Sequence, residues 1–237
     1  MPLMTLDEYP TEAPRELPVG FASEFFLSGR VHGKPEALRL AINGARHIIF
    51  TAGCRSGYPV REAQVKAVEY NGVLKTLAAA RQLGFTGRFL YMTSSGVMTR
   101  SLTTRCLNLW KGNTLVWRKR VEGEIRASGV DYTAIRTGVL LNRSGGQHVI
   151  EVTQQLLPLA WRYRIARADV AEVFLAALKH RKASRTTFEV VWGPRGRAEA
   201  LNRLLDGLQP DNEYKAGSWR RVLAYPKAAR KNSARRR

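Results

Sequence analysis

The sequence has few cysteines: Cys54 and Cys106 are the only two in 237 residues. They make neither a disulfide framework nor a metal-ligand spacing, so a reducing compartment is expected. The cytoplasm is the expected location, with an organelle matrix or stroma as the alternative. Acid is also scarce, with Asp+Glu 19 against Lys+Arg 39 and a formal net charge of +20. No apolar run approaches the ~20 residues that span a bilayer, and no membrane partner is expected. The N-terminus lacks a basic-then-apolar signal pattern, and Asp7, Glu8, Glu12 and Glu16 argue against an acid-poor transit peptide. No internal repeat is visible.

What remains is a chain long enough to bury about 70% of its unfolded surface. It reads as one α/β domain with tails. Residues 1–20 carry four prolines and no sustained period, an extended lead-in. The domain is expected over 21–210 and a basic, unstructured tail over 211–237. The order of patterns is strand, helix, strand, repeated. Phe21–Leu27 is the first expected strand. Helix follows from Pro35, whose ring suits a first turn, and Asn43-Gly44 stops it. His47–Phe50, Arg88–Met92, Tyr132–Ile135 and Thr187–Trp192 read as strands. A long helix is expected over about 61–83, with Tyr70, Val73, Leu77 and Ala80 forming one stripe. Residues 112–129 form another, in which Arg118, Glu122 and Arg126 stand four apart and Ser128-Gly129 closes the end. Val170, Val173, Phe174, Ala177 and Leu178 mark a further amphipathic helix, with Asp169 as its cap. Leu201, Leu204, Leu205 and Leu208 mark a last one. Residues 97–111 read as irregular, with a short helix near Cys106–Trp110, and 149–161 has no clear assignment.

Such alternation with short links predicts a Rossmann-like, doubly wound, mostly parallel sheet. In these sheets ligands lie beyond the carboxyl ends of the strands. Three of those ends are small and polar: Thr51-Ala52-Gly53, Thr93-Ser94-Ser95-Gly96 and Arg136-Thr137-Gly138. Small residues admit a ligand to the backbone, and hydroxyls offer hydrogen bonds. The histidines are scattered and read as structural. Cys54 has two readings, a buried inert thiol and a reactive thiol beside the crevice. Trp110 and Trp117 read as packing anchors.

The segments IIFTAG, AAARQLG, RFLYMTSSGV, LVWRKRVEGEIRASGVDYTAIRTGVLL and IARADVAEVFLAAL resemble the atypical short-chain dehydrogenase/reductase family, in its NAD(P)H-binding, NmrA-like branch. The resemblance implies NADP or NAD lying across Thr51, Ala52, Gly53, Ser94, Ser95, Arg136, Thr137 and Gly138, with Arg118 as a further contact. It also exposes departures. The family's glycine-rich turn, which seats a pyrophosphate on a helix N-terminus, has no match, and the chain is expected to begin at the family's third strand. The acid usual after that strand is absent from Ser28-Gly29-Arg30-Val31. The family's Tyr-x-x-x-Lys pair falls on Thr114 and Arg118. Threonine is no substitute for a phenolic acid, and Arg118 has two readings: a ribose or phosphate contact, and an ion pair with Glu122.

Two functions follow. One is a divergent NAD(P)-binding oxidoreductase. The other is a non-catalytic pseudo-enzyme scaffold that binds RNA, another polyanion or a ribonucleoprotein assembly. The second draws on the tail, where Lys227, Arg230, Lys231, Arg235, Arg236 and Arg237 follow Arg220 and Arg221, and on the basic helix from Arg118 to Arg126.

Overall fold

A computed structural model describes residues 35–54, 60–193 and 200–211. The lead-in, the strand expected over Phe21–Leu27, the Ser28–Val31 segment and the chain beyond residue 211 lie outside these residues. At the centre is a five-stranded sheet. Its strands are β1 (His47–Phe50), β2 (Arg88–Ser94), β3 (Asp131–Thr137), β5 (Ile150–Thr153) and β7 (Thr186–Trp192). Their order is β1-β2-β3-β7-β5; the first four run parallel, and β5 is antiparallel to β7. The four expected parallel strands are all present. The inner strands β2, β3 and β7 are covered on both faces, and every residue of β7 is buried, whereas the edge strand β1 alternates between exposed and buried positions.

One face carries α1 (Pro35–Ile42), α3 (Gly72–Gln82) and α5 (Thr114–Ala127). Here Ile48, Phe50, Phe89, Tyr91 and Tyr132 meet Ile42, Val73, Leu77, Ala80, Val121 and Ile125. The other face carries α6 (Arg167–Lys179) and α7 (Leu201–Asp206). There Leu90, Ile135, Phe188 and Val190 meet Val170, Val173, Phe174, Ala177 and Leu205. Each such fully buried large side chain contributes about 1.5–3 kcal/mol.

The helix expected over 61–83 is interrupted. It begins as α2 (Glu62–Val65), passes through a π-helical turn (Lys66–Asn71) and resumes as α3. The sharp end expected for α5 is present: Ser128 N–H bonds to the Ile125 carbonyl, and Gly129 takes φ +78°, which glycine adopts without strain.

Some expectations are corrected. The segment read as irregular holds α4 (Leu102–Trp110), capped by Ser101, whose hydroxyl accepts the Thr104 N–H at 3.1 Å. Trp110 on it is 66% exposed rather than an anchor, whereas Trp117 is buried. The unassigned stretch supplies β5. After Gly138 the chain forms β4 (Val139–Leu141), which pairs with β6 (Arg164–Ala166) in a separate two-stranded sheet. Asp169 does not cap α6. Its fully buried carboxylate accepts the Trp192 indole N–H at 2.6 Å and the Gly146 N–H at 2.7 Å, tying the 142–149 loop to β7. Asp211, the last described residue, is bonded into the fold and accepts from Tyr132 Oη, Arg126 Nε and Thr187.

Candidate cofactor site

Because β1, β2, β3 and β7 are parallel, their carboxyl ends share one edge of the sheet. The three small polar strand ends therefore come together, but they differ in access. Thr51, Ala52 and Gly53 are exposed at the end of β1. Ser94 is half-buried, with its hydroxyl donating to the Ser95 carbonyl, and Ser95 is fully buried. The ends of β2 and β3 are stitched together, Ser95 N–H to the Thr137 carbonyl at 2.9 Å and the Thr137 hydroxyl to the Thr93 carbonyl at 3.3 Å.

Residues 157–163 close over these two ends. Gly96 donates to the Leu157 carbonyl at 3.0 Å and, at φ +86°, lies so close to Leu159 that an added Cβ would be 2.8 Å from the Leu159 Cβ. Gly138 packs against the Tyr163 carbonyl in the same way. These two glycines serve internal close packing. The open part of the edge is the lip after β1.

Beside that lip sits a buried carboxylate that the sequence reading missed. Glu69, on the π-helical turn, is 5% exposed. It accepts the Thr114 hydroxyl at 2.5 Å, Arg118 Nε at 2.9 Å and the Cys54 N–H at 3.1 Å. Burial alone would raise its pKa, but the Arg118 charge and these hydrogen bonds override it and hold the group below the usual glutamate value. The positions that resemble the family's Tyr and Lys therefore both engage Glu69. The ion pair anticipated between Arg118 and Glu122 is replaced by this one, across 49 residues of sequence. A Cβ on Gly53 would lie 3.4 Å from Arg118 Nη2, which puts the guanidinium against the lip. A signal was available in the sequence: Glu69 is an acid set between Val65 and Val73, both of them buried, within the long helical pattern.

Arg136 lies deeper. It is 2% exposed and donates through Nε and Nη2 to Glu122 at 3.1 and 2.6 Å, with Glu189 Oε1 3.5 Å from its Nη1. Arg126 bonds to both Glu122 and Asp211. Thus Arg118 and Arg126, expected on a basic face for polyanions, are both committed to carboxylates. The tail cations lie outside the described residues. The half-buried Cys54 thiol has its pKa pushed up by burial and by Glu69, which favours the inert reading. Among the described residues no histidine, cysteine and acid cluster has the makings of a metal site, and no helix is long and apolar enough to cross a membrane.

A parallel sheet with small polar strand ends along one carboxyl edge defines a Rossmann-like dinucleotide-binding protein. The chain belongs to the NAD(P)H-binding family, whose model matches residues 27–181. It is 38% identical over 95 residues to sanguinarine reductase of Eschscholzia californica, a match covering 39% of this chain and 34% of that protein. It is 29% identical over 174 residues to the uncharacterized sugar epimerase YhfK of Bacillus subtilis, covering 73% of this chain and 76% of that one. A solved structure of a putative NAD-dependent epimerase/dehydratase from Bacillus halodurans shares the fold, with a TM-score of 0.59 and 23% identity over 72% of this chain and 73% of that one.

The family's cofactor is a nicotinamide dinucleotide, NADP or NAD. The lip after β1 fits one: it is open, small and polar, and Arg118 stands beside it as a cation. Among the described residues no glycine-rich turn ends a strand, so the lip does not supply the usual pyrophosphate seat.

Proposed function

We propose that the protein is a divergent NAD(P)-dependent oxidoreductase of the atypical short-chain dehydrogenase/reductase type, NmrA-like branch. Thr51, Ala52, Gly53, Ser94 and Arg118 are its dinucleotide contacts. When bound, the nicotinamide supplies a hydride or accepts one. The observation that carries this reading is the clamp of Thr114 and Arg118 on Glu69 at the lip of β1. It sits where the resemblance places the family's Tyr and Lys, and it is an ordered, buried, charged arrangement for which packing alone offers no need. In this reading Glu69 fixes Arg118 against the lip, so that the cation meets ribose or phosphate without a search over rotamers. Thr114 orients Glu69 and carries no proton-transfer role, since its hydroxyl is too weak an acid. Ser95, Arg136, Thr137 and Gly138, closed over or buried, support the edge from beneath.

Isothermal titration with NADPH and NADH is the test. Binding is expected to be weak, because no glycine-rich turn at a helix N-terminus seats the pyrophosphate among the described residues, and Arg118→Met is expected to weaken it further. Absence of heat with either dinucleotide at millimolar concentration overturns the site. Sub-micromolar affinity overturns the account of the phosphate seat.

A further inference from the structure

The sheet face that packs on α5 carries a polar row at its carboxyl edge. Register places Thr93 beside Arg136 and Arg136 beside Glu189, on three neighbouring strands. Ser95, two residues beyond Thr93, points to the same side. Around this row stands a linked charge cluster, buried at Arg136, Glu122 and Glu189 and partly exposed at Arg126 and Asp211. Its cations are Arg126 and Arg136; its carboxylates are Glu122, Asp211 and Glu189. Two cations against three carboxylates leave one negative charge in excess, and neutralisation by a proton is the cheapest remedy in a buried setting.

Hydrogen bonding identifies which carboxylate takes that proton. Glu122 accepts from Arg136 twice and from Arg126 once. Asp211 accepts from Arg126, Tyr132 and Thr187. Glu189, 2% exposed, has Arg136 at 3.5 Å and looser approaches of the Ser95 hydroxyl and the Leu157 N–H, and its Oε2 has no well-formed hydrogen bond. The Ser95 hydroxyl faces this carboxyl and is likewise without a well-formed hydrogen bond.

We propose that Glu189 holds the cluster's proton at neutral pH and acts, through Ser95, as the positioning residue of the strand-end turn. The protonated acid hydrogen-bonds to the Ser95 hydroxyl and keeps Ser94–Gly96 in the conformation that the candidate site requires. Loss of the proton strands a charge behind that turn. The groups that face Glu189 all bear on this balance. Burial dominates and drives its pKa up to about 7; Arg136 on β3, the Ser95 hydroxyl and the Leu157 N–H oppose the rise, and Glu122 on α5 adds to it. The consequence for ligand binding rests on the dinucleotide reading of this edge; the protonation does not.

The test has two arms on the full chain. In the first, infrared difference spectra between about pH 6 and pH 9 are expected to show a protonated-carboxyl band that disappears on raising the pH and is missing from Glu189→Gln. The amide NMR signals of Ser95 and Gly96 are expected to titrate together in the wild type, with a midpoint above the ordinary carboxylate range, and to stay flat in Glu189→Gln, which keeps a donor of the same shape. Titration of those amides unchanged in Glu189→Gln overturns the proposal, as does a carboxylate already ionised at pH 6. In the second arm, NADPH affinity is expected to fall with pH across the same midpoint in the wild type and to be pH-independent in Glu189→Gln. If NADPH does not bind at any pH while the first arm succeeds, the dinucleotide reading fails and Glu189 keeps its role. If NADPH binds with the same pH dependence in both proteins, the role of Glu189 fails and the dinucleotide reading stands.

Discussion

Replacing Arg136 with methionine, a side chain of similar reach without charge, tests how the polar edge of the sheet is held. The guanidinium is buried at 2% exposure, with two hydrogen bonds to Glu122, at 3.1 and 2.6 Å, and Glu189 at 3.5 Å. Removing one partner of a buried ion pair leaves its opposite charge unsolvated and costs about 3–5 kcal/mol. Glu122 keeps Arg126 at 3.2 Å, and Glu189, its pKa already raised by burial, can take up a proton once Arg136 is gone, so the lower end of that range applies. A loss of ~3 kcal/mol corresponds to a fall in Tm of about 6–12 °C for a chain of this size. The fall is expected to be smaller near pH 5.5 than near pH 8, because an acidic medium neutralises the stranded carboxyls. Arg136→Met combined with Glu122→Gln is expected to recover much of the loss, since no unpaired charge then remains. Urea unfolding followed by circular dichroism measures all three quantities. A cost below ~1 kcal/mol at pH 8, or a double variant no more stable than the single one, would refute the view that this pair is closed and dry.

Glu189→Gln is expected to raise stability above neutral pH. A glutamate whose folded pKa is raised loses stability as pH climbs from its unfolded value through about 7, and glutamine escapes that loss of about 3 kcal/mol; urea midpoints from pH 5 to 9 would show it. Glu69 behaves in the opposite sense. Its folded pKa is depressed, so its contribution is present above the unfolded pKa and disappears as pH falls through the folded one; Glu69→Gln should flatten the acid limb of the stability profile. Gly96→Ala, at φ +86° and under Leu159, should cost about 1–3 kcal/mol and loosen the 157–163 cover, visible as faster exchange of the amide at position 96. Ser101→Ala should cost about 1 kcal/mol, confined to early exchange of α4 amides if that helix opens locally.

The elements legible in the sequence were those whose burial is simple. The β2 and β7 strands each hold an apolar run, FLYM and VVW, because both faces are covered, and the stripe Val73, Leu77, Ala80 marks α3 because one face alone meets the sheet. The elements missed have patterns that point elsewhere. In α4, Leu102, Leu109 and Trp110 face solvent while Thr104 is buried, the reverse of an amphipathic expectation. The β5 strand is a half-buried edge strand of four residues, too short for alternation to show. The site was legible as a place and not as a set of contacts. Regular spacing of Arg118, Glu122 and Arg126 promised a ladder along α5, yet only the Glu122–Arg126 rung forms. The other charges found partners on separate elements, because a buried carboxylate bonds to whichever cation the fold brings close, and one-dimensional spacing holds no record of that. An acid inside the uniformly buried strand TTFEVVW was the clearest sequence-level mark of the cluster.

The π-helical turn at Lys66–Asn71 has a consequence in terms of helical phase. Such a turn takes up an additional residue, which shifts everything after it by about 100° around the axis. Ahead of it, Glu62 accepts the indole N–H of Trp117 on α5; beyond it, Val73, Leu77 and Ala80 seat in the sheet core. Those two faces match their separate partners only because the phase slips between them, and Glu69 stands within the slip. The position of the candidate site's carboxylate is thus fixed by chain length as much as by residue type. Deleting one residue from 66–71 would leave the composition of the helix almost untouched and still set its two halves against the wrong neighbours.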